Sequence, residues 1–147
     1  MRLGLRKIEW IDSALLHDYS MVAPGSTIRL SSYIKNGGQL RPLPFTPETA
    51  NMEETWQDDP DGIYSYLDFN AAIRRNKDEF KDVLQQLTGK KAVWLLTLNS
   101  GVQYIIGSPE FVPSFKYSDS ISGQSSSEFS IRISNDSLHG LLKNQPE

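Results

Sequence analysis

The sequence predicts an α+β fold, mostly antiparallel: a β-sandwich or barrel with one packed helix and a long proline-rich arm. Three stretches carry that prediction. Residues 91–107 read as two strands joined by a tight turn at Asn99-Ser100-Gly101. In the first of them Ala92, Trp94, Leu96 and Leu98 share one face, and Val93 and Leu95 share the other. A strand that is apolar on both faces needs cover on both, so it belongs in the middle of a sheet or between two layers. Residues 51–74 form the second stretch. Met52 and Trp56 fall in one strand, Ile63, Leu67, Phe69, Ala71 and Ile73 alternate along another, and Asp58-Asp59-Pro60-Asp61-Gly62 lies between them as a turn. Asp supports local side-chain bonds, Pro presets its own φ and Gly accepts positive φ, so a long hairpin with an acidic tip is expected. The third stretch predicts a helix over residues 77–88. Asn76 is its cap, Asp78 and Glu79 suit its positive end, and Phe80, Val83, Leu84 and Leu87 form a stripe at helical spacing. Gly89 closes it, followed by Lys90 and Lys91. Its apolar stripe is expected to cover one face of the sheet that contains Trp94.

The rest of the chain is less regular. Residues 2–11 predict a first strand whose phase slips between Leu5 and Ile8, marking a bulge or two short strands. Residues 12–26 carry weak signals and end in Pro24-Gly25-Ser26; Ile28 and Leu30, alternating with Arg29, suggest a short second strand. Residues 35–50 open on Lys35-Asn36-Gly37-Gly38 and are punctuated by Pro42, Pro44 and Pro47. Prolines at that density fit neither a central strand nor a helix interior, which leaves an extended binding arm or a surface connection. Phe115 and Tyr117 alternate with polar neighbours, residues 118–127 read as a flexible Ser-rich loop, and Phe129, Ile131 and Ile133 alternate with Ser130, Arg132 and Ser134 in a strand with one wet face. Leu138, Leu141 and Leu142 fit one helical turn or an extended tail.

Composition bounds the function. A chain of 147 residues suits a single domain, 1–147, with a real core. A net charge of -3 argues against a coat for nucleic acid, and no sequence-specific nucleic-acid partner is expected. The absence of cysteine excludes disulfides, thiolate metal sites and a cysteine nucleophile. No run is long and apolar enough to cross a bilayer, and Met1-Arg2-Leu3-Gly4-Leu5-Arg6-Lys7 has no apolar core behind its charges, so the expectation is a cytoplasmic protein without membrane contact.

Few residues carry chemistry. His17 and His139 lie far apart and in no metal-binding or catalytic motif, and read as surface or structural. The acidic turn lacks the oxygen-ligand alternation and the closing Glu of a calcium loop, so it reads as a hairpin turn that makes an acidic patch with Glu53 and Glu54. Gly37-Gly38 lacks a phosphate-binding partner, no serine sits in a Gly-x-Ser-x-Gly elbow, and Arg74, Arg75 and Lys77 read as a solvated helix entry. No acid, base or nucleophile constellation is present, so no enzyme, cofactor, metal or catalytic residue is expected. The residues expected at an interface are Leu40, Leu43 and Phe45 on the arm, Tyr64 and Tyr66 opposite the Ile63-Leu67-Phe69 face, and Asp58, Asp59 and Asp61 at the tip.

The run Val93-Trp94-Leu95-Leu96-Thr97-Leu98-Asn99-Ser100-Gly101-Val102-Gln103-Tyr104-Ile105-Ile106-Gly107-Ser108, then Phe115-Lys116-Tyr117, Ser122-Gly123 and the strand from Phe129 to Ile133 resemble small structural proteins of tailed-phage and prophage tail modules of the Bacteroides type. The resemblance covers residues 92–133, about a third of the chain by pattern. It implies a sandwich or barrel with one packed helix, protruding loops, and assembly through arms and sheet edges into a tail component of the tube, terminator or connector type. Partners would be further copies of the chain, a ring among the forms, or other tail proteins, in a virion or tail-like particle. Read without the resemblance, the same features also fit a monomeric adaptor that grips another protein with its 35–50 arm.

Overall fold

The computed structural model describes residues 2–43, 49–60, 62–75, 85–120 and 127–145. Their strands form two open sheets rather than a closed barrel. The organising strand is β7 (Ala92–Leu98), six of whose seven residues are buried. Its turn closes as the sequence predicts: the Gly101 N–H donates to the Leu98 carbonyl at 2.9 Å, and Gly101 takes φ +93°, a conformation that favours glycine. The chain returns as β8 (Gln103–Ile106), which places Trp94 opposite Ile106 and Leu96 opposite Tyr104.

On its other side β7 pairs with β2 (Leu5–Asp12). The register shifts between Leu5 and Lys7, so the slip in hydrophobic phase is a bulge that keeps both Leu5 and Ile8 in the core. Before it, Gly4 separates β2 from a two-residue β1 (Arg2–Leu3) that belongs to the other sheet. The six-stranded sheet is completed by β4 (Arg41–Pro42) beside β2, and by β11 (Leu142–Asn144) and β3 (Thr27–Ile28) beyond β8. The second predicted strand is therefore shorter than Ile28–Leu30 suggests, because Leu30 opens a 3-10 turn, Leu30–Tyr33. The C-terminal leucines follow the extended alternative, with Leu142 in β11.

The five-stranded sheet is built on the long hairpin of β5 (Thr49–Asp59) and β6 (Gly62–Arg75). Its order is β1, β5, β6, β10 (Ser127–Ser137) and β9 (Ser114–Ser120), with every neighbouring pair antiparallel. Ser118–Ser120 and Ser127 thus belong to strands rather than to the expected loop, and residues 121–126 lie outside the described residues.

The two sheets pack face to face. Ile8, Trp94, Leu96 and Ile106 of one meet Met52, Leu67, Phe69, Ile131 and Ile133 of the other in one cluster. Trp94 stacks on Phe115, with centroids 5.3 Å apart and planes at 20°. The predicted helix enters at residues 85–87; Leu87 is buried in this same cluster, while Phe80, Val83 and Leu84 lie outside the described residues. The opposite face of β7 carries Val93 and Leu95, and its cover comes from residues 13–40, which supply Leu16, Tyr19, Ile28 and Leu30. That layer is held by backbone bonds between its ends: the His17 N–H donates to the Tyr33 carbonyl at 2.7 Å, and the Lys35 N–H to the Leu15 carbonyl at 2.8 Å.

The proline-punctuated segment differs from a free arm where it is described. Arg41 and Pro42 pair with Trp10 and Glu9, and the Leu43 N–H donates to the Ile8 carbonyl at 2.8 Å. Proline is tolerated there because β4 is an edge strand. Leu43 is 3% exposed in the main cluster and Leu40 packs against the second, so both side chains find apolar partners on their own chain. The edge of β2 needs backbone partners, and this segment supplies them.

Leu96 is fully buried at the centre of the main cluster, and its truncation to Ala should cost about 2–5 kcal/mol. Val102, 40% exposed beside the turn, should tolerate the change to Ala within about 0.5 kcal/mol. Urea denaturation of the two variants checks the contrast.

Candidate functional site

The expected interface residues separate into two groups. Asp58 and Asp59 are exposed at the tip of the β5–β6 hairpin, and Tyr64 and Tyr66 are half-buried on the outward face of β6. Alternation puts both tyrosines opposite the buried Leu67 and Phe69. The Tyr64 hydroxyl donates to Gln57 Oε1, and the Tyr66 hydroxyl accepts from Arg132 at 3.4 Å. Arg132 also grips Asp68 with two bonds of 2.8 and 3.3 Å. Leu40 and Leu43 lie with the other sheet and are covered, so the arm group does not join the hairpin group. Phe45 and Asp61 lie outside the described residues.

Among the described residues the five-stranded sheet has two open edges. β1 pairs with β5 only at Ala50 and Asn51, and Glu53 to Asp59 have no strand beside them on that side among the described residues. At the far edge, β9 pairs with β10 alone among the described residues. Open edges present backbone N–H and C=O groups to any extended partner. Part of the inward side of β5 is closed by the C-terminal segment. The Leu141 N–H donates to Glu54 Oε2 at 3.0 Å, and the Trp56 ring lies over Gly140. A Cβ at residue 140 would come within 2.6 Å of that ring, at a φ of +68°, so glycine is required twice over.

One end of the sandwich is polar inside. Ser20, Ser65, Ser108, Asn135, Ser137 and His139 are all buried there. His139 donates from Nδ1 to the Gly140 carbonyl at 2.7 Å, which fixes its tautomer, and Nε2 accepts from Ser108 Oγ at 3.0 Å. Ser20 Oγ lies 2.8 Å from Ser108 Oγ and donates to Asp18, and the Glu110 N–H reaches Ser20 Oγ at 3.1 Å. The Asn135 amide donates to the Phe111 carbonyl at 2.7 Å, and the Tyr19 hydroxyl to the Gly107 carbonyl at 3.0 Å. Burial, then the Asp18 carboxylate, push the Tyr19 phenol well above its usual range. The Ser108–His139 contact has the distance of a nucleophile and its base, but both side chains are fully buried. In this conformation the network holds three loops together and offers no hydroxyl to a substrate. Ser65 Oγ is buried without a hydrogen-bond partner among the described residues, a cost the fold tolerates at this end.

Sequence reasoning left His139 as a surface or a structural residue; its burial fits the second alternative, and none of its partners was foreseen. Ser108 is 31 residues away and Ser20 lies 88 residues before Ser108, in segments with no motif. Among the described residues no group of three or more His, Asp or Glu could hold a metal ion, and no helix is long and apolar enough to cross a membrane. No protein family, curated protein or solved structure matches this chain.

The His139 ring supplies a pH dependence with a definite sign. Burial is the largest influence and holds its pKa below the ordinary 6.5, against smaller opposing effects of the Gly140 carbonyl, Asp18 and Glu54. The fold therefore prefers neutral His139, and its contribution is complete above pH 6.5 and is lost as pH falls from there through the lower folded-state value. Urea midpoints should decline on acidification across the window just below pH 6.5, and His139→Gln should flatten that decline. An equal slope in both proteins would remove His139 as its source.

Proposed function

We propose that this chain is a non-enzymatic structural protein that assembles by joining β9 of one copy to β5 of the next, as a phage or prophage tail component of the tube, terminator or connector type. The observation that carries the reading is the strand parity of the five-stranded sheet. From β5 through β6 and β10 to β9 the strands alternate in direction. Four alternating strands are an even number, so a head-to-tail repeat sets β9 antiparallel to the β5 of its neighbour. Each copy then extends one continuous antiparallel sheet, the pairing with the better hydrogen-bond geometry. The edges also match in length: β9 has seven residues, and β5 offers the same stretch beyond Met52.

Charge favours this heterologous contact over a symmetric one. β5 carries Glu53, Glu54, Asp58 and Asp59 and no base, so two β5 edges would oppose like charges. Heterologous contacts close into rings when the rotation permits and otherwise run on as filaments. The tail assignment itself rests on the resemblance in residues 92–133. The arm is less favoured as the connector, because Leu40 and Leu43 are already packed on their own chain.

The adaptor reading, expected from the sequence to use the 35–50 arm, draws its support instead from the same open edges, which suit capture of an extended peptide as an added strand. Light scattering across concentration separates the two. Assembly predicts a mass that rises with concentration. Proline at Ser118 or at Asp119 blocks one N–H each, and successive N–H groups point to opposite sides of a strand. The variant that keeps its melting temperature has lost the edge-facing N–H and should stay monomeric. A chain that is monomeric at every concentration before substitution would sink the assembly reading and favour the adaptor.

A further inference from the structure

The outward face of the five-stranded sheet holds a trough whose origin is visible in the strand register. Asn51 pairs with Asn70, Asn70 with Arg132, and Arg132 with Lys116, which makes one row of long polar side chains across four strands. The adjacent row is Ala72, Ser130 and Ser118, all small. Strands lie about 4.8 Å apart, so the small row spans about 10 Å perpendicular to the strands. A row of small side chains beside a row of long ones leaves a depression, and the cavity there measures about 460 Å³. Small-molecule sites commonly enclose about 300–1,000 Å³.

The chemistry of the trough narrows its ligand. Arg132 is committed to Asp68 and Tyr66, so its charge is compensated and its guanidinium is fixed. Lys116 is exposed and has neither an ion pair nor a hydrogen bond among the described residues. Among the described residues, Lys116 is therefore the one positive charge of the trough without a partner. Around it stand side-chain amides and hydroxyls that both donate and accept, as the hydroxyl groups of a sugar do. A nucleic-acid strand would need more cations than the one free lysine found here among the described residues. An extended peptide is better served by the open strand edges than by a sheet face.

We propose that this trough binds a short acidic oligosaccharide, with Lys116 taking a carboxylate and Asn70 and Ser130 taking ring hydroxyls. The site is independent of whether the chain assembles. Isothermal titration with trigalacturonate, maltotriose and inorganic phosphate tests it. Trigalacturonate should bind saturably, and at least about tenfold more tightly than either of the others. Lys116→Gln should weaken trigalacturonate and leave maltotriose unchanged, and Ser130→Phe, which fills the trough, should abolish binding. If Ser130→Phe does not fold, Asn70→Ala in the next row takes its place and should weaken the binding of trigalacturonate. No saturable binding of trigalacturonate, equal binding of phosphate, or unchanged affinity in a folded trough variant would overturn the proposal.

Discussion

Burial of β7 on both faces is the constraint on which the rest of the fold depends. One strand presents Trp94 and Leu96 to one layer and Val93 and Leu95 to another. Each large apolar side chain withdrawn from water contributes about 1.5–3 kcal/mol before the entropy of ordering is subtracted. Neither layer can be removed without exposing half of the strand. The five-stranded sheet covers the first face. The second is covered by residues 13–40, which form two 3-10 turns and little strand, because a single exposed-side layer needs only apolar side chains at the right places. The Asp12 carboxylate caps the first of those turns by accepting from the Ala14 N–H at 3.0 Å, so the chain leaves β2 and turns straight back over the sheet.

The interior is not uniform along the strands. Its middle is apolar, and at the end near Trp56 it passes into the serine, asparagine and histidine network around His139. That network fastens the loop after β8, the loop that carries Tyr19, and the segment before β11, where the Gly25 N–H also reaches the His139 carbonyl at 3.1 Å. Buried polar networks that are satisfied specify a unique arrangement more than they add to stability. Fastened loops at one end and open strand edges at the side describe a rigid body with pairing capacity.

The sequence was most informative where periodicity is strong. The long β5–β6 hairpin, the phase slip after Leu5 and the buried position of Leu87 follow from the spacing of apolar residues, and the β7–β8 turn from Asn99-Ser100-Gly101. Apart from the short strand at Ile28, residues 13–40 were hard to read because a covering layer with little regular structure has no period. The prolines correctly excluded a central strand at residues 41–43, yet nothing local announces that Leu43 turns inward; that follows from the need of the β2 edge for a partner. The site was legible only in part. Tyr64 and Tyr66 fell on the outward face by alternation, but the trough looked like an ordinary wet face. Only the register places Ala72, Ser130 and Ser118 in one row, and register depends on pairing between segments far apart in sequence.

Native-state hydrogen exchange on the amides of β7 tests this dependence most directly. If the two-sided strand holds both layers, the amides from Val93 to Leu96 open only when the whole chain unfolds, and their exchange free energy equals the global unfolding free energy. The amides of β6 and β10 would then exchange at the same free energy or a lower one. Slower exchange in β6 and β10, with β7 opening in a smaller event of its own, would contradict the claim that β7 organises the fold.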